Sequence, residues 1–166
     1  MASGHSAAFK RVDTILEAMA ETVYRLGEEC GTGSTVKMIN QLLAGVHIAV
    51  AAEAMALGVK AGANADQLYE VICNSAGASW MFENRVPHML ARDFRPLSAI
   101  EIFVKDLGIV LEAGQDLRFP LPIAAAAHQM YLMAAGAGLG REDDAAVVKI
   151  FEQLSGIEVR SETGST

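Results

Sequence analysis

Between Val36 and Leu57 almost every position is Ala, Leu, Ile, Val or Met, and most of the polar exceptions, Lys37, Asn40, Gln41 and His47, do not fall at random. Placed about 100° apart per residue, these four and Ala44 share roughly a third of a helical circumference and leave the remainder apolar. The pattern predicts one long helix of about 33 Å at ~1.5 Å per residue. A helix apolar on nearly every side is a buried one. Ser34 or Thr35 offers an N-cap hydroxyl, and Gly58 offers a stop.

The remaining periodicity predicts shorter helices around this spine. Ser6 can cap a helix with Phe9, Val12, Leu16 and Met19 on one side, and Val23 to Leu26 reads as a short strand. Nothing later alternates like a strand, so that segment needs a sheet the rest of the chain does not supply. Asn64 to Gln67 is a capping arrangement for a helix to Cys73; Ser79 can cap another through Arg85 toward Pro87. A helix over Ala99–Ala113 and an Ala-rich one from Ile123 to Ala134 follow, with Gly136 to Gly140 a loop after the second. Glu142, Asp143 and Asp144 sit at the positive end of a last helix reaching Leu154, and the polar stretch from Ser155 is expected to fray.

Composition sharpens this picture. With 166 residues, 52% hydrophobic but only 6% aromatic, the chain suits one domain of closely packed helices: an all-α fold. A net charge of −7 argues against a nucleic-acid or anionic-membrane surface, because both need clustered Lys and Arg. Cys30 and Cys73 are too few for a disulfide scaffold or a zinc cluster, and with Asn40, Gln41, His47 and Glu53 the apolar window makes a poor membrane span. With no secretion signal ahead of it, the expectation is a cytoplasmic protein.

The chemistry concentrates at the start of the spine. An amine and a carboxamide three residues apart, Lys37 and Asn40, suit an oxygen-rich anionic small molecule, since burying either unpaired costs several kcal/mol; an interface lysine is the alternative. His47, lacking a second ligand at i+3 or i+4, reads as a hydrogen-bonded core residue, and no metal site is expected. Lys105 and Asp106, mid-helix, read by themselves as a solvated pair.

Two stretches add a resemblance. Gly31-x-Gly33-x-x-x-Lys37-x-x-Asn40-Gln41 resembles the substrate-site signature of the β-hydroxyacid dehydrogenases, the family of the 3-hydroxyisobutyrate and 6-phosphogluconate dehydrogenases. Ile102 to Gly108, with Lys105 and Asp106, resembles the family's second C-terminal signature, and the wording of Gln41–Ala49 and Ser79–Arg85 is closest to the L-threonate dehydrogenase branch.

The resemblance implies the helical C-terminal domain of a 6-phosphogluconate dehydrogenase-like protein. Residues 1–33 would be a helix–strand remnant of a Rossmann domain whose other strands lie upstream, 34–154 the substrate-binding and dimerisation domain, and 155–166 a flexible tail. It implies Lys37 as the catalytic residue, Gly33, Asn40 and Gln41 as substrate-binding, Lys105 as cofactor-binding and NAD or NADP as cofactor. The expected partners are a small hydroxyacid, the missing Rossmann domain and a second copy in a homodimer or tetramer. No strand–GxGxxG–helix occurs in the chain, so the fragment alone is expected to be inactive. A non-catalytic helical dimerisation module is the competing reading.

Overall fold

The computed structural model describes residues 1–162. Its α-helices are α1 (Ser6–Met19), α2 (Thr32–Lys60), α3 (Ala65–Cys73), α4 (Trp80–Ala91), α5 (Ile100–Asp116), α6 (Pro122–Ala134) and α7 (Val148–Ser155). No strand forms among the described residues, and the all-α expectation holds. The chain divides into two compact units whose boundary falls inside α2, between Gln41 and Leu42.

In the first unit, the strand expected at Val23–Leu26 is reduced to one isolated parallel bridge between Ala2 and Arg25. Ala2 N–H donates to the Tyr24 carbonyl and Leu26 N–H to that of Ala2, both at 2.8 Å. A lone bridge is what an extended segment makes when it finds only one short partner. Helix α1 starts at Ser6 rather than after it, preceded by His5 with no side-chain cap, and it buries no residue. Ile15 and Met19 stand exposed on it, which leaves an amphipathic helix with its apolar side uncovered.

Helix α2 is longer than its sequence limits suggested at both ends. Neither Ser34 nor Thr35 caps it; the helix begins at Thr32, after Gly31 with φ +103°, and the Thr35 hydroxyl donates back to the Gly31 carbonyl. At the other end Gly58 lies within the helix, and the left-handed residue that ends it is Gly62, φ +92°. Gly58 is small for a different reason: a Cβ there would lie 2.3 Å from Leu68 Cδ2. A glycine can stop a helix or let another side chain approach it, and spacing does not distinguish the two.

The second unit holds the core. One side of α2, with Ile48, Ala52 and Met55, packs into a cluster with Val86, Met89, Ile100, Phe103, Leu107 and Tyr131. The burial expected all round is therefore confined to one side: Leu43, Val50 and Leu57 are about half exposed or more. Gly45 marks the close approach to α5. Its carbonyl accepts from the buried Tyr131 hydroxyl at 2.8 Å, and a Cβ on it would lie 2.8 Å from Phe103 Cδ1. Phe103 is buried and stacked on Tyr131 at 5.2 Å, so a shift of its ring disturbs that packing. Gly45→Ala is accordingly expected to lower stability by about 1–2 kcal/mol in urea unfolding, overpacking outweighing the ~1 kcal/mol of helix propensity that alanine brings.

The cap expected at Asn64 is made, its side chain accepting from Gln67 N–H, and Ser79 likewise accepts from Phe82 N–H. Pro87 lies inside α4 and cannot donate to the carbonyl four residues back. That carbonyl, on Glu83, accepts the Tyr69 hydroxyl at 3.1 Å instead. Gly136 to Gly140, expected as a loop, continues α6 as far as a kink in Ala135–Leu139, where the backbone of Gly138 leaves the helical region with φ +86°.

The acidic run before α7 does more than complement a helix end. Asp143 caps the short turn Asp144–Val147, accepts from Leu97 N–H and lies 3.1 Å from His88 Nδ1. Asp144 is fully buried and takes both a 2.6 Å bond from Arg85 Nε and a 3.3 Å bond from Arg85 Nη2. Of the tail expected to fray from Ser155, the described part is fastened. Val159 is fully buried, its N–H donates to Glu152, and Ser161 N–H donates to the Leu90 carbonyl. The rest of that tail, 163–166, lies outside the described residues.

Candidate active site

Lys37, Asn40 and Gln41 stand on the first turns of α2, and all three belong to the first unit. The i, i+4 spacing puts Gln41 one turn above Lys37 on the same face. Lys37 Nζ donates to Gln41 Oε1 at 2.6 Å, and Asn40 Nδ2 donates to the same oxygen at 3.2 Å. One carboxamide oxygen thus gathers an ammonium and an amide on a solvent-exposed stretch of helix. Several donors crowded at one point suit an anionic or hydroxylated small molecule, because each N–H left over needs an oxygen.

Gly33 is buried below this face. Its N–H donates to Ser3 Oγ at 3.0 Å, and a Cβ on it would touch the Ala2 backbone at 3.4 Å. The glycine thereby lets the N-terminal segment lie against the first turn of the helix. Ser3 was not legible as part of this arrangement, since a serine near the N-terminus carries no pattern that pairs it with a glycine thirty residues later.

Lys105 stands on α5 in the second unit. Its side chain is 66% exposed, and its ammonium lies 2.6 Å from the largely buried Asp106 carboxylate. The pair expected to be solvated is so only at Lys105; Asp106 is largely buried, and the ammonium keeps further N–H donors beyond the one its carboxylate uses.

His47 departs from the core role expected of it. It is half-buried, its side chain makes no hydrogen bond among the described residues, and it lines a cleft of ≈ 400 Å³ with Val50, Ile72, Ser79 and Phe82. The cleft is walled mainly by alanine and larger apolar side chains, with neither lysine of the signatures in it. No group of three His, Cys, Asp or Glu able to hold a metal occurs among the described residues.

Comparison with known proteins assigns the chain. It is 62% identical over 151 residues to the L-threonate dehydrogenase of Cupriavidus necator, a match covering 91% of this chain and 51% of that one. Against the L-threonate dehydrogenase of Escherichia coli K12 the identity is 56% over 155 residues, covering 93% and 51%. Among solved structures, a 3-hydroxyisobutyrate dehydrogenase from Salmonella typhimurium superposes with a TM-score of 0.86 at 56% identity, over 90% of this chain and 53% of that one. The chain spans about half the length of these relatives. The family model described as NAD-binding of NADP-dependent 3-hydroxyisobutyrate dehydrogenase matches residues 31–151, from the glycine turn to the middle of α7. On that match, which takes in well over half of its residues, this chain belongs to the NAD-binding 3-hydroxyisobutyrate dehydrogenase family.

Proposed function

We propose that this chain is the substrate-side helical half of an NAD- or NADP-dependent hydroxyacid dehydrogenase that oxidises a hydroxyl of a small sugar acid, with L-threonate the first candidate. The observation that carries the reading is the convergence of Lys37 and Asn40 on one oxygen at an exposed helix face. The names of the relatives at 56–62% identity supply the substrate. In this reading residues 1–33 are the end of a Rossmann domain, 34–154 carry substrate and subunit contacts, and 155–166 are a tail. The assembly is a cytoplasmic homodimer or tetramer.

The reaction needs a group that takes the hydroxyl proton and positive charge that holds the carboxylate. Lys37 either takes that proton or, kept charged, steadies the developing alkoxide. Asn40 donates to the substrate, and Gln41 completes that wall. Gly33 acts through the turn it lets close. The nicotinamide, when bound, accepts the hydride. Lys105 fits a place beside that cofactor, because its exposed ammonium is not used up by Asp106 and can reach a phosphate, ribose or carboxamide oxygen. The dinucleotide cradle itself is not among the described residues, so the chain alone is expected to show no turnover.

The competing reading, a helical dimerisation module, draws support from the exposed Leu43, Val50 and Leu57 on α2. Against it, Lys37 is bonded to a neutral amide oxygen on an exposed face, whereas a lysine serving a dry interface needs a carboxylate partner. The test is to join the chain to the upstream half of the Cupriavidus relative and measure reduction of NAD⁺ and NADP⁺ with L-threonate. Hydride transfer from the fusion, absent from either half alone, is expected. A soluble, folded fusion that reduces neither cofactor with any small hydroxyacid leaves the dimerisation module.

A further inference from the structure

We infer that His128 is a positioning residue for the turn of α5 that carries Lys105, an inference that rests on the place beside the cofactor given to Lys105 above. His128 stands half-buried on α6, and its Nε2 lies 2.9 Å from the Val104 carbonyl oxygen. A carbonyl can only accept, so Nε2 carries the hydrogen and donates it. Val104 lies within α5, where its carbonyl also takes the Gly108 N–H four residues on. His128 therefore uses the second lone pair of an oxygen that belongs to the residue just before Lys105.

Such an oxygen is reachable because of Gly108. A helical side chain leans back over the turn before its own Cα, so residue 108 is the one that would cover the Val104 carbonyl. Glycine leaves it open, and a Cβ there would lie 3.8 Å from His128 Nε2, at ordinary contact distance. One turn along the same face of α6, the Tyr131 hydroxyl donates to the Gly45 carbonyl of α2 at 2.8 Å. The helix thus holds two neighbours by the same device, a side-chain donor on a backbone oxygen. Apolar burial is non-directional, whereas a hydrogen bond sets a distance and an angle. Lys105 is 66% exposed, so little packing directs its ammonium, and the turn from which it projects is where its direction can be set. Losing a contact made equally in the ground and transition states raises KM and leaves kcat unchanged, which is the signature expected here for the nucleotide.

Three variants separate positioning from mere support. His128→Leu removes the donor, His128→Gln keeps an N–H at about the same reach, and Tyr131→Phe removes the companion bond while leaving Val104 untouched. In the 166-residue chain, hydrogen exchange at the Gly108 amide is expected to quicken at least fivefold relative to Val110 in His128→Leu and to stay within twofold of wild type in the other two. The remaining amide spectrum reports that each variant is folded. In the fusion with the upstream half, His128→Leu is expected to raise KM for NAD⁺ or NADP⁺ at least fivefold, with kcat and the KM for L-threonate changed less than twofold. His128→Gln should restore the nucleotide KM, and Tyr131→Phe should lower the urea midpoint while keeping that KM within twofold. An unchanged nucleotide KM in His128→Leu overturns the positioning role, as does an equal rise in Tyr131→Phe or a His128→Gln variant as poor as His128→Leu. A wild-type fusion without hydride transfer removes the dehydrogenase reading, while the exchange pattern in the 166-residue chain still decides whether His128 pins this turn.

Discussion

Lys37→Ala, introduced into the fusion that completes the enzyme, is expected to lower kcat by two to four orders of magnitude, the usual contribution of a positioned acid–base group. The fold should not notice. Lys37 is exposed, its recorded bond is the one to Gln41, and a pair of this kind on a helix surface contributes only about 0.2–0.5 kcal/mol. The urea midpoint of the variant should therefore match wild type while turnover collapses, which separates a chemical loss from an unfolding one. Lys37→Arg should be nearly as poor where Lys37 is the base, because a guanidinium keeps its charge throughout the working range and cannot take a proton, and should keep part of the activity where Lys37 acts as a cation. The pH profile of kcat/KM then tells base from cation. A base acts only when unprotonated, so activity through this group rises with pH; an ammonium that steadies an alkoxide makes it fall. Turnover of Lys37→Ala within threefold of wild type would take Lys37 out of the mechanism.

Arg85→Met is expected to cost about 3–5 kcal/mol of folding stability, the toll of leaving a buried carboxylate without its partner. Asp144 has no exposed surface and is held by two bonds from Arg85, itself only 9% exposed. Burial pushes the Asp144 carboxyl above its ordinary range despite the opposing pull of the Arg85 bond. The sign of the pH dependence follows. A carboxyl raised in the folded state favours the protonated form there, so its contribution is present below the unfolded value and lost as pH rises through the folded one. Without Arg85 the carboxyl rises further. The deficit of Arg85→Met relative to wild type should therefore be larger at pH 8 than at pH 5. Urea unfolding at the two values checks this, and a deficit under 1 kcal/mol at pH 8 would show that Asp144 finds another partner. Replacing both residues, Arg85→Met with Asp144→Leu, should recover most of the loss, since two apolar groups of similar size leave no charge to satisfy.

The helices were legible because their signals are local. Asn64 and Ser79 were readable as caps from a side chain that reaches only three residues, and the periodicity of α5 and α6 survives because each packs one face. The ends of α2 were not legible, because Gly31, Gly33, Gly45, Gly58 and Gly62 look alike in a sequence and act differently in the fold. Two of them turn the backbone through positive φ; the others make room for a neighbour. The Val23–Leu26 segment, among the described residues, made a single bridge, to Ala2.

For the candidate site, residue identity and spacing along one helix placed Lys37, Asn40 and Gln41 together in advance, since residues three and four apart on a helix must be neighbours. Which of the three accepts and which donate was a matter of rotamers. Tertiary structure alone decided that Ser3 takes the Gly33 N–H, that Arg85 reaches Asp144 across 59 residues of chain, and that Val159 folds back under cover while Leu57 stays exposed. Sequence by itself determines what is set within a turn or two of backbone: helix content, the caps at Asn64 and Ser79, and the polar face of the spine. Long-range pairing depends on where distant segments come to rest, and a buried charge or an orphaned N–H selects its partner only once they do.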